Sequence, residues 1–144
     1  MRRVPLLLAG LGLLGAVAAL LFAPARTPRP AAPPGAPIVS RLALADPANG
    51  AHLFRRCAAC HTIGADGTDT DGPNLHGVLN GPVARRRPRF AYTAALAGVG
   101  GSWTPDRMDR WLTSPRAFAP GTSMAFPGLP DPQDRADVIA YLGR

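Results

Sequence analysis

The chain has 144 residues and a net charge of +7, with sixteen basic and nine acidic side chains; every base is Arg and every acid Asp, with no Lys and no Glu. A chain of this length holds one domain. Arg2, Arg3, Arg26 and Arg29 precede the part able to fold, and from Arg41 onward twelve Arg face nine Asp, a balance too even for a nucleic-acid partner.

Val4 to Phe22 is nineteen residues without a charge. As a helix it would cover roughly 28 Å, close to the thickness of a bilayer core. Residues 1–25 therefore read as a single-pass transmembrane anchor. The alternative is a secretory signal, because Ala23-Pro24-Ala25 offers a small-x-small site, and cleavage near Ala25 would release a soluble protein. Arginines flank the segment on both sides, so charge does not orient it. Residues 26–45 read as a Pro/Ala-rich linker: six prolines lie between Pro24 and Pro37. That composition buries no core and favours polyproline II, with a reach of roughly 40 Å over fourteen positions.

Residues 46–144 are punctuated as short helices joined by loops. Asp46-Pro47 pairs an N-cap with proline at the first helical position and opens a helix that runs into the cysteines. Thr104-Pro105-Asp106 repeats the device, and that helix ends before Pro115. Asp131-Pro132 opens the last helix, whose Val138, Ile139 and Leu142 share one apolar face before Gly143 stops it. No strand pattern is visible, so the predicted class is all-α, with three or four short helices.

Cys57-Ala58-Ala59-Cys60-His61 uses the only two cysteines of the chain. That spacing is a haem attachment site. Two thiols on one helical turn can add to the two vinyl groups of a porphyrin, and His61 is then held where its imidazole reaches the iron. A thioredoxin-like pair would need a strand ahead of the first cysteine, and a zinc site would have to recruit His52 or His76 at irregular spacing. One covalent haem c also explains how fewer than one hundred residues fill a core. Because thioether bonds are made outside the cytoplasm, the haem places this domain in the periplasm.

A second axial ligand is expected from Met124, in the loop Pro120-Gly121-Thr122-Ser123-Met124-Ala125-Phe126-Pro127, which the prolines keep from being helical throughout. Met108 competes, but it lies inside a helix where methionine is more often core packing. His76 is a loop histidine with a structural role, and His52 an exposed one. The run Asp66-Gly67-Thr68-Asp69-Thr70-Asp71-Gly72 has acids at calcium-loop spacing without the bidentate acid that should follow, and reads as an exposed acidic loop.

The order of motifs resembles class I cytochromes c of the mitochondrial and purple-bacterial type, over about Gly50 to Leu142. They are the pentapeptide, then Gly72-Pro73-Asn74-Leu75-His76-Gly77, Phe90-Ala91-Tyr92-Thr93, Trp103, the Met124 loop, and Ile139-Ala140-Tyr141-Leu142. The resemblance implies haem-binding roles for Cys57, Cys60, His61, Pro73, Tyr92, Trp103 and Met124, with His61 and Met124 on the iron. The Pro73 carbonyl would accept the free ring N–H of His61, and Tyr92 and Trp103 would bond a propionate. Gly50, Phe54, Val138 and Tyr141 would join the first and last helices. Two departures stand out. The expected Arg after Gly81 is replaced by Pro82 and Val83, leaving Arg85 or Arg86 to substitute, and Trp111 stands where many relatives carry Tyr.

A six-coordinate haem implies an electron carrier rather than an enzyme, working between a quinol-oxidising cytochrome complex and a terminal oxidase or reaction centre. The other readings are a peroxidase-like or gas-binding haem protein with a displaceable Met124, and a dedicated acceptor for a periplasmic dehydrogenase. Arg55, Arg56 and Arg85-Arg86-Arg87 are expected to form a basic face toward acidic patches on membrane-bound redox partners.

Overall fold

The computed structural model describes residues 30–144, so the apolar segment Val4 to Phe22 lies outside the described residues. Among the described residues no helix is long and apolar enough to cross a membrane. Six helices follow in order: α1 (Ile38–Leu42), α2 (Pro47–Phe54), α3 (Ala94–Val99), α4 (Pro105–Thr113), α5 (Pro115–Phe118) and α6 (Pro132–Leu142). Extended pairing among the described residues is confined to one isolated bridge between Pro82 and Ser102.

The three helices expected from their caps form where those caps stand. Asp46 accepts the Ala48 N–H at 2.8 Å, Thr104 the Arg107 N–H at 3.3 Å, and Asp131 the N–H groups of Gln133 and Asp134 at 2.7 and 3.0 Å. Each satisfies donors that the first helical turn leaves unpaired. Pro115 ends α4 and opens α5 at the same time, with Ser114 as the shared cap. The α2 helix does not stay regular as far as the cysteines. Beyond Phe54 the chain tightens: the N–H groups of Arg55, Arg56 and Cys57 bond three residues back, and those of Ala58 and His61 four back.

The crossing of α2 and α6 is the centre of the fold. A Cβ at Gly50 would overlap the Asp137 carbonyl and crowd the Tyr141 Cβ, so only glycine lets the two backbones approach this closely. Phe54 and Tyr141 pack with ring centroids 5.4 Å apart. On α6, Val138, Ile139 and Leu142 are buried as their spacing predicted.

The linker reading changes at its C-terminal end. Residues 38–42, inside the stretch taken as spacer, form α1 and dock on the domain: Ile38 and Arg41 are buried. The Arg41 guanidinium reaches both carboxylate oxygens of Asp109 on α4 at 2.7 and 2.8 Å and the Pro132 carbonyl at 2.6 Å, while Arg135 on α6 donates from Nε to the Asp109 Oδ1 at 2.8 Å, an oxygen it shares with Arg41. Gln133 closes the arrangement by donating to the Arg41 carbonyl at 3.0 Å. A single buried guanidinium shared by two helices leaves no periodic signal in five residues, so proline-rich composition does not reveal α1.

Candidate functional site

One cavity of about 370 Å³ opens between the end of α2, the loops at 71–92 and 122–126, and the inner faces of α4 and α6. Its size falls within the roughly 300–1,000 Å³ of preformed cofactor clefts. Cys57, Cys60, His61, Pro73, Tyr92, Trp103 and Met124, which lie as much as 67 positions apart in sequence, all line it.

The tightened coil after Phe54 turns Cys57 and Cys60 toward the cavity and leaves His61 at its wall. His61 Nδ1 lies 2.8 Å from the Pro73 carbonyl oxygen. A carbonyl only accepts, so Nδ1 carries the proton and Nε2 keeps its lone pair for a metal. Gly72 makes this possible, since a Cβ there would overlap the imidazole ring itself. Burial pushes the Cys57 thiol up, with the nearby Arg56 charge working against it. Redox-active Cys-x-x-Cys pairs are activated in the opposite direction, so the microenvironment disfavours a thioredoxin-like role. Among the described residues no group of three or more His, Cys or Asp side chains is placed to hold a metal ion by itself.

The opposite wall is apolar and aromatic. Trp103 stacks on Phe118 at 5.7 Å and tilts against Trp111 at 5.5 Å, and both tryptophans are buried. Trp111, the departure noted above, serves as cavity lining and core packing. Met108 and Met124 both reach the cavity, Met108 from the buried face of α4 and Met124 from a half-buried loop, where its N–H bonds Thr122 Oγ1 at 3.3 Å. His52 and His76 do not line this cavity; both are exposed, His52 beside Arg55 and His76 at a smaller surface depression.

Of the two arginines left open after Gly81, one faces the cavity. Arg86 lines the cavity and donates from Nε to the His76 carbonyl at 2.6 Å, whereas Arg85 does not reach it. The expected basic face is thinner than the run suggested. Arg87 turns away to pair with Asp69 at 2.7 Å, so Asp69 is not part of a free acidic loop either. Arg56 stacks over the Phe126 ring at 5.4 Å on the cavity side. Neither the Asp69–Arg87 pairing nor the choice of Arg86 was visible from the run of three arginines, because consecutive loop residues point in directions that only the turn geometry sets.

Apolar walls, two thiols on one turn, an imidazole with a committed Nδ1 and a thioether on a loop form a donor set that suits a covalently attached iron porphyrin. The family model described as cytochrome c matches residues 47–144. The chain belongs to the cytochrome c family. Membership brings one covalently bound haem c with its iron. Among relatives, cytochrome c2 of Rhodomicrobium vannielii is 42% identical over 103 residues, covering 72% of this chain and 82% of that protein. A cytochrome c homolog of Bradyrhizobium diazoefficiens is 42% identical over 106 residues, covering 74% of this chain, which spans only 58% of that relative's length. The solved structure of cytochrome cH from Methylobacterium extorquens superposes with a TM-score of 0.63 at 36% identity, covering 67% of this chain and 96% of that one. These relatives place the helices and cavity within a known cytochrome c architecture.

Proposed function

We propose that this cytochrome c is a membrane-tethered single-haem electron carrier, taking electrons from a quinol-oxidising cytochrome complex and delivering them to a terminal oxidase or reaction centre. The observation that supports it is the convergence of Cys57, Cys60, His61 and Met124 on one apolar cavity. In this reading His61 Nε2 and the Met124 thioether would both hold the iron, which would leave no coordination site for a substrate. When bound, the haem supplies a one-electron iron couple, and a thioether in place of a second imidazole favours its reduced state. The chain does the rest. Cys57 and Cys60 would hold the group covalently, the Pro73 carbonyl orients His61, Trp103, Trp111 and Leu112 would exclude water, and Tyr92, Trp103 and Arg86 would meet the propionates.

The tether rests on the uncharged segment Val4 to Phe22, which would leave the haem domain on the periplasmic side of the inner membrane. Intact mass of the purified protein reports both the haem increment and retention of residues 1–25. The oxidised protein should show the far-red band of a thioether–iron bond, and Met124→Ala should abolish it. Absence of that band in the wild-type protein at neutral pH would end the carrier reading in favour of an open-site haem enzyme.

A further inference from the structure

The peptide unit joining Pro73 to Asn74 is hydrogen-bonded at both ends. Its carbonyl oxygen accepts His61 Nδ1–H at 2.8 Å, and its N–H donates to Asp69 Oδ1 at 2.8 Å. The same Asp69 oxygen accepts Arg87 Nε–H at 2.7 Å, while Arg87 Nη2 is held by the Gly67 carbonyl at 3.3 Å. The Asn74 side chain, buried, donates to Thr62 Oγ1 at 2.7 Å and to the Gly64 carbonyl at 3.0 Å, which fixes the plane of that peptide. An unbroken series of contacts therefore runs from the Arg87 guanidinium through a carboxylate and one amide to the imidazole at the cavity wall. Neither Asp69 nor Arg87 lines the cavity.

We propose that Asp69 is a positioning residue that tunes the electron affinity of the iron through the Pro73–Asn74 peptide, with Arg87 setting how strongly it does so. Amide resonance links the N–H to the carbonyl oxygen. A carboxylate on the N–H moves electron density onto that oxygen, and hydrogen bonds in series strengthen one another. The carbonyl then draws harder on His61 Nδ1–H, the imidazole gains anionic character, and it becomes a stronger donor that favours the oxidised iron. Arg87 withdraws part of the Asp69 charge and moderates the effect. The Asn74 N–H, and then Arg87, hold the Asp69 carboxyl below its ordinary range, so the group is a carboxylate at neutral pH.

The proposal rests on His61 being the iron ligand, as in the functional reading above. The test uses the haem-loaded full chain in both oxidation states. Asp69→Asn should move the His61 Nδ1–H proton resonance upfield and lower the oxidised-to-reduced ratio at a fixed applied potential about two- to fivefold, the scale of cooperative change in one hydrogen bond. Arg87→Gln, which leaves the Asn74 bond intact, should move both readouts the other way. Asp66→Asn removes the same charge from the same loop without touching the peptide and should move neither. The relay is overturned if the His61 resonance stays in place in Asp69→Asn and Arg87→Gln, or if Asp66→Asn matches Asp69→Asn. Should Asp69→Asn fail to load haem, an unmoved resonance in Arg87→Gln alone overturns it. Absence of the far-red band from the wild-type protein would mark failure of the functional reading on which the relay rests, and its presence with an unmoved resonance in both variants marks failure of the relay only.

Discussion

Single positions carry unequal weight at the site. His61 is defined by what sits beside it: the Pro73 carbonyl fixes its tautomer and Gly72 gives its ring room. The missing Cβ at Gly72 thus acts on the imidazole directly. Gly72→Ala should push the imidazole off the Pro73 carbonyl at a cost of about 1–3 kcal/mol, the range for inserting a methyl group where no space exists. The visible spectrum of the purified variant would show weakened ligation, and an unchanged spectrum with wild-type haem content would refute the overlap. Cys57, Cys60 and His61 stand out in the sequence because their spacing is local, compressed into five consecutive residues. Arg86 and Gly72 acquire their roles from neighbours ten or more positions away, and Asp69 from Asn74 five positions on and Arg87 eighteen on, so no local spacing announces them.

At the level of elements, two junctions hold the domain together. The first is the α2–α6 crossing, where backbone meets backbone at Gly50. Gly50→Val should force the helices apart and lower stability by about 3 kcal/mol, at the upper end for overpacking because a carbonyl cannot rotate away; the midpoint of denaturant unfolding measures it. The second junction is Asp109, whose side chain is 15% exposed between Arg41 of α1 and Arg135 of α6. Burial raises the Asp109 carboxyl, but hydrogen bonds and charges from Arg41 and Arg135 outweigh it, and the group titrates below its ordinary value. A carboxyl depressed on folding contributes stability that is complete above its unfolded value, about 3.9, and is lost as pH falls through the lower folded value. Asp109→Asn should therefore unfold more easily at neutral pH, by about 3 kcal/mol for a broken buried pair. It should also lose less stability than the wild type on acidification below about pH 4. Thermal melts across pH check both, and parallel acid limbs for the two proteins would contradict the assignment. The caps at Asp46, Thr104 and Asp131 located three helices in advance; α1, α3 and α5 are too short for periodicity to register.

For the whole molecule, α1 docks on the domain through Ile38 and Arg41, and ahead of it the Ala36 carbonyl accepts from Arg41 at 3.0 Å and the Ala32 N–H reaches Gln133 Oε1 at 3.5 Å. With Arg87 committed to Asp69 and both Arg86 and Arg56 lining the cavity, the charges left to meet a partner from this region are chiefly Arg55, Arg85 and Arg89. Electron transfer to a purified oxidase should slow as added salt shortens the Debye length from about 10 Å at 0.1 M to about 3 Å at 1 M. Arg85→Gln should lower the low-salt rate while leaving the high-salt rate alone, and a rate indifferent to salt would remove the electrostatic docking face. Read alone, the amino-acid sequence determined the covalent haem, the all-α class and the helix starts, because thiol spacing and capping are chemistry between near neighbours. Tertiary structure decided that Arg86 rather than Arg85 faces the cavity, that Ile38–Leu42 docks on the domain, and that a carboxylate outside the pocket reaches His61 through one peptide. Those outcomes depend on the directions in which loops bring distant side chains together, and direction is a property of the folded chain.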